Sequence, residues 1–362
     1  MGTVVRSHAG GYLVHSDELD ATFQCLARGR LKKERRSIVT GDKVELDEID
    51  RSQGKAVIAA RLDRQNLLSR PLIANVDQVV IVQSVHQPEW NALLCDRYLV
   101  HSQLELPSAS ILLCLNKCDL AAGEDLRALQ KIYEPLGFKM LIVSAISGQG
   151  MRQFAKMLSG KVSVLAGPSG VGKSSLINHL DLQLNLKVGV MENDFGVGRH
   201  TTTYSELYRI GLGDNLSLQS SWVADTPGFS LTELKHGDPA DVAWQFPEIV
   251  RLAQECKFSN CLHLVENGCK VLLSLDTIAT SRYQSYSIIV NEALAEARLR
   301  QESSQKVESA VKVVGGKGGK GKVLPKLNER YRAVSRRSEK QQLANLTVLS
   351  EEDTEYPEDS PD

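Results

Sequence analysis

The segment GPSGVGKSS at residues 167–175 constrains the fold of this chain more than any other. It follows the apolar run KVSVLAG and leads into SLINHL, so the pattern predicts a strand, a glycine-rich loop and a helix in that order. Glycine permits a left-handed backbone and a close approach of the chain, so successive backbone N–H groups can surround phosphate oxygens at a helix start. The segment therefore predicts a phosphate-binding P-loop within an α/β domain.

All residues of this P-loop are candidate nucleotide contacts, and two of its side chains have distinct predicted roles. We expect Lys173 to act in catalysis by reaching the β- and γ-phosphates, and Ser174 to offer its hydroxyl to Mg²⁺. Further along, DTPGF places Asp225 at the end of an apolar strand, where it can hold the magnesium shell, and Gly228 near the γ-phosphate. The predicted contacts within the loop are Gly167, Pro168, Ser169, Gly170, Val171, Gly172, Lys173, Ser174 and Ser175.

A second nucleotide-binding signal precedes the P-loop, whereas in an ordinary GTPase it would follow. The segment NKCD, with Asn116, Lys117 and Asp119, comes directly after the apolar run ILLCL. The segment SAIS, with Ser144 and Ala145, comes after KMLIV, and loops at strand carboxyl ends face the ligand crevice. A carboxylate such as Asp119 can accept hydrogen bonds from the N1–H and 2-amino groups of guanine, which adenine lacks. The two segments predict guanine specificity in a circularly permuted domain.

The rest of the chain divides by composition and periodicity. Residues 1–72 contain short β-like runs, which favour an oligonucleotide-binding (OB) type barrel that contacts RNA; an ordinary small barrel with a solvated basic loop is the alternative. Residues 73–235 alternate apolar strands with helices, which predicts a parallel sheet covered on both faces. We predict a helical metal-binding domain over 236–300 and a disordered tail over 301–362, basic and then acidic. Binding of nucleic acid by the basic part of this tail is the alternative to a merely solvated segment.

A cluster of cysteine and histidine in the third of these regions has the spacing of a metal site. Cys256, Cys261, His263 and Cys269 form the pattern C-x₄-C-x-H-x₅-C. Three thiolates and one imidazole complete a tetrahedral zinc shell without an open position, so we predict one structural ion. Incidental buried thiols are the alternative.

Composition and the amino-terminal segment bound the class of protein. The chain has 362 residues, 42% hydrophobic and 24% charged, which is an ordinary globular composition. It contains no apolar run of about eighteen residues, and its first twenty or so residues show neither a charged leader nor a cleavage site. We therefore expect a cytoplasmic protein, monomeric and without a membrane partner.

In combination, these motifs resemble one family. The order NKCD, SAIS, GPSGVGKSS, GRHTTT, DTPGF and the Cys/His cluster is similar to that of the circularly permuted, 30S-dependent GTPases called small ribosomal subunit biogenesis GTPase A. The resemblance covers about residues 1–295. It implies a permuted α/β P-loop GTPase domain with an amino-terminal OB-type barrel and a carboxyl-terminal helical zinc-binding domain.

The resemblance also implies an activity and partners. The implied activity is hydrolysis of GTP with Mg²⁺, stimulated by the 30S subunit. The implied partners are the 30S subunit and 16S rRNA, and the implied role is assistance of late small-subunit maturation. The resemblance also implies one bound zinc ion. A GTP-regulated RNA-binding scaffold with incidental turnover is the alternative. Metabolic phosphotransfer is a third reading, for which the sequence shows no acceptor pocket.

The segment NDFGVGRHTTT at residues 193–203 is similar to the first switch of the family. Phe229 follows the glycine of DTPGF where Ras-like proteins carry a glutamine, and a phenyl ring cannot orient water. We expect His200 to position the water, Arg199 to offset charge, and Thr202 or a neighbouring threonine to close on Mg²⁺; a mobile loop without a chemical role is the alternative. Slow intrinsic hydrolysis, accelerated when a partner orders the switch, follows from this.

Overall fold

The fold is described from a computed structural model of the chain. The structure describes residues 1–8, 10–29, 31, 37–181, 206–210, 220–225, 238–304, 311–314 and 322–325. The predictions at His200, Thr202 and Gly228, together with those at Arg199 and Phe229, lie outside these residues. The chain divides into two compact units, Met1–Ala297 and Arg298–Asp362.

The strands are, in chain order, β1 Gly2–His8, β2 Gly11–Ser16, β3 Ala21–Ala27, β4 Lys43–Asp50, β5 Lys55–Arg61, β6 Leu67–Leu68, β7 Ile73–Ala74, β8 Gln78–Ser84, β9 Ser110–Asn116, β10 Lys139–Ile142, β11 Val162–Ala166, β12 Leu207–Ile210, β13 Ser221–Asp225, β14 Val311–Val314 and β15 Lys322–Pro325. The helices are α1 Ala92–Glu105, α2 Gly123–Tyr133, α3 Met151–Leu158, α4 Lys173–Leu180, α5 Pro239–Ala243, α6 Pro247–Ala253, α7 Lys270–Leu273 and α8 Thr280–Ser304, with 3-10 turns at Cys118–Leu120, Glu134–Leu136 and Leu275–Thr277.

The amino-terminal strands form the predicted barrel. They close in the order β1-β2-β3-β5-β4, with β3 and β5 parallel and the other neighbours antiparallel. In β3 the side chains of Phe23 and Cys25 are buried, whereas those of Thr22 and Gln24 are exposed. This period of two is the one expected of a strand with one face on a core. The prediction of an OB-type barrel is confirmed.

The central domain is a six-stranded sheet in the order β10-β9-β8-β11-β13-β12. Its strands run parallel except β12, which pairs antiparallel with β13 at the edge. The central strands β8 and β11 are buried along their whole length, because helices and the barrel cover the two faces of the sheet. The strands that carry the guanine segments precede β11 and its P-loop in the chain, so the predicted circular permutation is confirmed.

Helices α5 to α8 form a carboxyl-terminal cluster that packs on helix α1 of the sheet domain. Val100 of α1 belongs to the same core as Phe246, Ile289 and Val290. The Arg282 guanidinium of α8 is 2% exposed and hydrogen-bonds Asp96 of α1. The predicted helical character of this region is confirmed. No helix in the described ranges is long and apolar enough to cross a membrane.

The second unit contains a two-stranded antiparallel hairpin formed by β14 and β15, with Val313 paired with Val323. The sequence predicts disorder over 301–362, so this hairpin is a difference from the expectation. Valine-rich runs on either side of a glycine-rich segment have the composition of two strands and a turn. The rest of the predicted tail, apart from the end of α8, lies outside the described residues.

Candidate nucleotide site and metal centre

The loops predicted to bind nucleotide follow strands that end at one edge of the sheet. Asn116 pairs with Ser84, Ile142 with Leu115, and Asp225 with Leu165, two residues before the P-loop begins. Because the carboxyl ends of parallel strands meet at the same edge, the sheet brings together segments that lie far apart in the sequence.

The P-loop has the backbone that its glycines permit. Gly167 has a φ of 144°, and a Cβ at this position would lie 2.1 Å from the Val82 carbonyl oxygen. Gly172, the N-cap of α4, has a φ of 91°. The Lys173 ammonium donates hydrogen bonds of 2.8 and 2.9 Å to the Gly167 and Pro168 carbonyls. The lysine therefore lies over the loop that would hold the phosphates, and Ser174 and Ser175 continue the first turn of α4.

Asn116 fastens three of the loops to one another. Its side-chain amide donates a 2.8 Å hydrogen bond to the Val171 carbonyl of the P-loop. Its side-chain oxygen accepts a 3.2 Å hydrogen bond from the Ala145 N–H of the SAIS segment. The side chain of Ser144 is fully buried and accepts a hydrogen bond from the Ser147 N–H at 3.0 Å, which shapes the same segment. The site is thus organised by buried polar bonds between loops.

The remaining guanine-segment residues are more accessible. Asp119 is exposed and lies in the 3-10 turn Cys118–Leu120. Lys117 has a left-handed φ of 60° and donates its ammonium hydrogen to the Gln87 carbonyl. The Asp119 carboxylate is therefore open to a ligand near the edge where the P-loop begins, and the Gln87 carbonyl holds the Lys117 side chain.

Sequence reasoning missed two residues that contact this site. The Gln87 carbonyl binds Lys117, and the Nδ1 atom of His179 lies 2.8 Å from the Ala145 carbonyl. Gln87 acts through its backbone, so its residue type carries no signal. His179 lies in the last turn of α4 and belongs to no motif that we identified.

The four predicted metal ligands come together at the other centre. The ligand atoms of Cys256, Cys261, His263 and Cys269 all lie within 4.8 Å of one another. The Cys256 and Cys269 sulfurs are 3.8 Å apart, and the His263 Nδ1 atom is 3.6 and 3.3 Å from them. A tetrahedral zinc ion with Zn–S bonds of about 2.3 Å requires sulfurs roughly 3.8 Å apart. The residues present therefore fit a closed zinc site.

Neighbouring side chains hold the metal-binding loop in place. The Glu266 carboxylate accepts hydrogen bonds of 2.7, 2.8 and 3.0 Å from the N–H groups of Leu262, Leu264 and Val265. Burial raises the pKa of Glu266, but the hydrogen bonds from these backbone donors lower it by more, so the pKa lies below its usual value. Burial also lowers the pKa of His263, which favours the neutral imidazole that binds metals.

Together, the sheet order and the site define a circularly permuted P-loop GTPase. Comparison with known proteins identifies the family: residues 61–235 match the RsgA GTPase model, and residues 1–57 match the RsgA N-terminal domain model. The chain belongs to the RsgA GTPase family and is a GTP hydrolase. The family implies GTP and Mg²⁺ as ligands of the site.

Individual relatives extend the similarity to most of the chain. The small ribosomal subunit biogenesis GTPase RsgA of Moorella thermoacetica is 38% identical over 299 residues, which is 82% of this chain and 98% of the relative. The protein of the same name from Trichormus variabilis is 37% identical over 89% of this chain and 84% of its own. The crystal structure of YjeQ from Thermotoga maritima has a TM-score of 0.67 and 33% identity, covering 81% and 98% of the two chains. YloQ, a circularly permuted GTPase, has a TM-score of 0.65 and 28% identity, with coverages of 81% and 94%.

Proposed function

We propose that this GTP hydrolase acts in ribosome biogenesis by binding the 30S subunit and its 16S rRNA. It assists a late step of small-subunit maturation and hydrolyses GTP faster on that subunit. The names of its relatives support this, as does the arrangement of a closed OB-type barrel and a metal-ligand cluster around the GTPase sheet. Residues 1–72 and 236–300 would contact RNA, and residues 73–235 would bind nucleotide. This role belongs to a cytoplasmic monomer.

The observation that carries the proposal is the position of the guanine segment before the P-loop in the chain. As a result, β13 leads through the γ-phosphate-sensing segment directly into the carboxyl-terminal helices, with thirty residues between Asp225 and Cys256. A change at the γ-phosphate would therefore act on a domain that touches RNA. Such coupling is what a GTPase that leaves its partner after hydrolysis requires.

Within this proposal each site residue has a role. Asp119 accepts hydrogen bonds from the guanine edge, Asn116 and Lys117 position the base, and Lys173 stabilises charge on the phosphates. Ser174 and a threonine of the first switch, Thr202 in our assignment, hold Mg²⁺, with Asp225 in the metal's outer shell and the Gly228 amide at the γ-phosphate. One zinc ion binds Cys256, Cys261, His263 and Cys269.

Base recognition by Asp119 is tested by changing the complementary groups on both partners. Asp119→Asn places a donor where the 2-amino donor of guanine would lie, so the variant should lose affinity for GDP and gain affinity for XDP, whose 2-position is an acceptor. We expect the ratio of the two affinities, measured by calorimetry, to change at least about a hundredfold, since each mismatched polar contact costs about 1–3 kcal/mol. An unchanged ratio would remove Asp119 from base recognition.

Water positioning by His200 is tested in the same assay system. His200→Ala should leave the affinity for GTP unchanged and depress the 30S-stimulated rate of GTP hydrolysis. The reason is that a hydrogen bond that orients the attacking water stabilises the transition state and not the bound substrate. An unchanged stimulated rate would exclude this histidine from the mechanism.

The partner assignment is tested by GTP turnover titrated with purified 30S, 50S and 70S particles. We expect acceleration by 30S subunits, and stimulation by 50S subunits alone would overturn the assignment. Single-turnover hydrolysis separates the GTPase from the scaffold reading. If 30S subunits bind in a GTP-dependent manner without accelerating hydrolysis, the protein is a GTP-regulated RNA-binding scaffold.

A further inference from the structure

The connection between β8 and α1, residues 85–91, lies against the nucleotide loops although no nucleotide motif includes it. We call these residues the relay loop. The Lys117 ammonium donates a hydrogen bond to the Gln87 carbonyl. On the other side, a Cβ built on Gly170 of the P-loop would lie 3.8 Å from the Cδ atom of Pro88. The relay loop therefore touches the guanine segment and approaches the P-loop.

The backbone of the relay loop is held in an uncommon conformation. Gln87 has a left-handed φ of 54°, which a residue with a side chain keeps only where its surroundings fix it. Two hydrogen bonds close the loop on itself. The hydroxyl of Ser84, the last residue of β8, donates to the Pro88 carbonyl at 2.8 Å, and the Trp90 N–H donates to the Val85 carbonyl at 2.9 Å. The carbonyl that binds Lys117 is thus presented by a constrained turn.

The Trp90 indole connects this turn to the carboxyl-terminal helices. Its ring lies 5.7 Å from the ring of Tyr133, edge to face at 71°. The Arg282 guanidinium lies 5.5 Å from the centre of that tyrosine ring. The Tyr133 hydroxyl donates a 3.0 Å hydrogen bond to the Asp96 oxygen that Arg282 also binds. Tyr133, Asp96 and Arg282 are all at most 2% exposed, so the tyrosine ring and the guanidinium belong to one closely packed interior.

We propose that Trp90 is a positioning residue for guanine-nucleotide binding. It holds the relay loop so that the Gln87 carbonyl orients the Lys117 ammonium. Because Trp90 also packs against Tyr133, the orientation of Lys117 depends on the position of Arg282. This inference rests on the proposed assignment of Lys117 to the nucleotide. It makes the carboxyl-terminal helices a determinant of nucleotide affinity through a route that contains no switch segment.

The first test is a double-mutant cycle on the full chain, with the Kd for GDP measured by calorimetry in the presence of Mg²⁺. Trp90→Leu should weaken binding about two- to tenfold, the range of one aromatic edge contact, and should have no further effect in a Lys117→Ala background. Trp90→Phe is the matched control, because it keeps a ring against Tyr133 and should bind GDP as the wild type does. Melting curves confirm that each variant is folded at the assay temperature.

The outcomes of this cycle separate the inference from its premise. If Lys117→Ala binds GDP normally, the proposed role of Lys117 fails and the inference fails with it. If Lys117→Ala binds poorly while Trp90→Leu keeps the wild-type Kd, or if the two effects multiply, the inference alone is overturned. A change in stability without a change in Kd would make Trp90 a purely structural residue.

The second test addresses the link to Arg282. Arg282→Lys keeps the positive charge but loses the planar group that lies over Tyr133. We expect this variant to raise the Kd for GDP about two- to fivefold in the wild type and to leave it unchanged in the Trp90→Leu variant. An equal effect in both backgrounds, or none in the wild type, would show that Trp90 carries no coupling.

Discussion

Replacing Gly172 with alanine tests whether the P-loop and the guanine segment depend on each other sterically. At this position a Cβ would lie 2.5 Å from the Nδ2 atom of Asn116, far inside van der Waals contact. Asn116 is 2% exposed and would have to give up its hydrogen bond to the Val171 carbonyl. Gly54, in the turn between β4 and β5, is the matched control, because it has a φ of 62° and no heavy atom within 4 Å of its Cβ position.

The magnitudes follow from these two environments. A left-handed backbone costs an alanine about 1–2 kcal/mol, which applies to both variants. In Gly172→Ala the buried amide also loses its partner, which adds about 1–3 kcal/mol. We therefore expect the free energy of unfolding to fall by about 2–5 kcal/mol for Gly172→Ala and by about 1–2 kcal/mol for Gly54→Ala.

Urea denaturation measures the stabilities, and calorimetry measures the Kd for GDP. Gly172→Ala should weaken GDP binding at least about tenfold, because Asn116 joins the P-loop to the SAIS segment and a shift of its side chain disturbs both. Gly54→Ala should bind GDP as the wild type does. The steric argument is wrong if Gly172→Ala is no less stable than Gly54→Ala, or if it binds GDP with the wild-type Kd.

Three further predictions concern the metal centre and the barrel. Cys269→Ser should lower the bound zinc measured by atomic absorption and unfold helices α5 to α8, and chelation of the wild type should have the same effect on circular dichroism; a protein that keeps its helicity after chelation contradicts this. Burial and then Arg209 lower the pKa of His15, so the folded state favours the neutral ring and stability should fall as the pH drops below about 6.5. The decrease in melting temperature between pH 7.5 and pH 5.5 should be smaller in His15→Gln than in the wild type. An equal decrease in the two proteins would refute this. Arg64→Ala leaves the fully buried Asp42 without its 2.6 Å partner and should cost about 3–5 kcal/mol in urea denaturation; a cost below about 1 kcal/mol would show that the remaining contacts of Asp42 suffice.

Elements with a simple periodicity or a glycine-based motif could be predicted from the sequence. The runs GYLVHS and ATFQCLA match strands β2 and β3, because each is a short β-like run between turn residues, and in β3 buried and exposed side chains alternate. The P-loop was predicted with its flanking strand and helix because its function requires glycine at Gly167 and Gly172, where φ is positive. In these segments the local chemistry and the tertiary structure demand the same residues.

Helix α1 shows why other elements could not be predicted in the same way. It is buried on more than one side, since Leu99 packs in the core of the sheet domain and Val100 packs against the carboxyl-terminal helices. It also carries the fully buried Asp96, which is stabilised by Arg282, 186 residues later in the chain. A helix that is covered on two sides and contains a buried charge has no clear apolar stripe. Its environment is set by contacts that are not local.

The same limitation applies to the nucleotide site. Asn116, Lys117 and Asp119 could be proposed as ligands from residue type and order, but the Gln87 carbonyl that binds Lys117 belongs to the backbone. Any residue type supplies a carbonyl, so only the path of the chain places it there. Likewise, the register of the threonines near Thr202 depends on how that segment approaches the metal, which one sequence does not determine.

The permutation attaches the carboxyl-terminal helices to the sheet domain in two ways. By chain connectivity these helices follow β13, on the phosphate side of the sheet, where Asp225 ends the strand. By packing they are attached to α1, which precedes strand β9 and the proposed guanine segment, through the buried pair of Asp96 and Arg282. In the unpermuted order the strand before DTPGF would continue into the half that carries NKCD and SAIS, and no separate domain would lie between them. The permutation therefore gives one domain two attachments, through the chain to β13 and through packing to α1, so our proposed coupling between a bound partner and the nucleotide site has two routes by which to act.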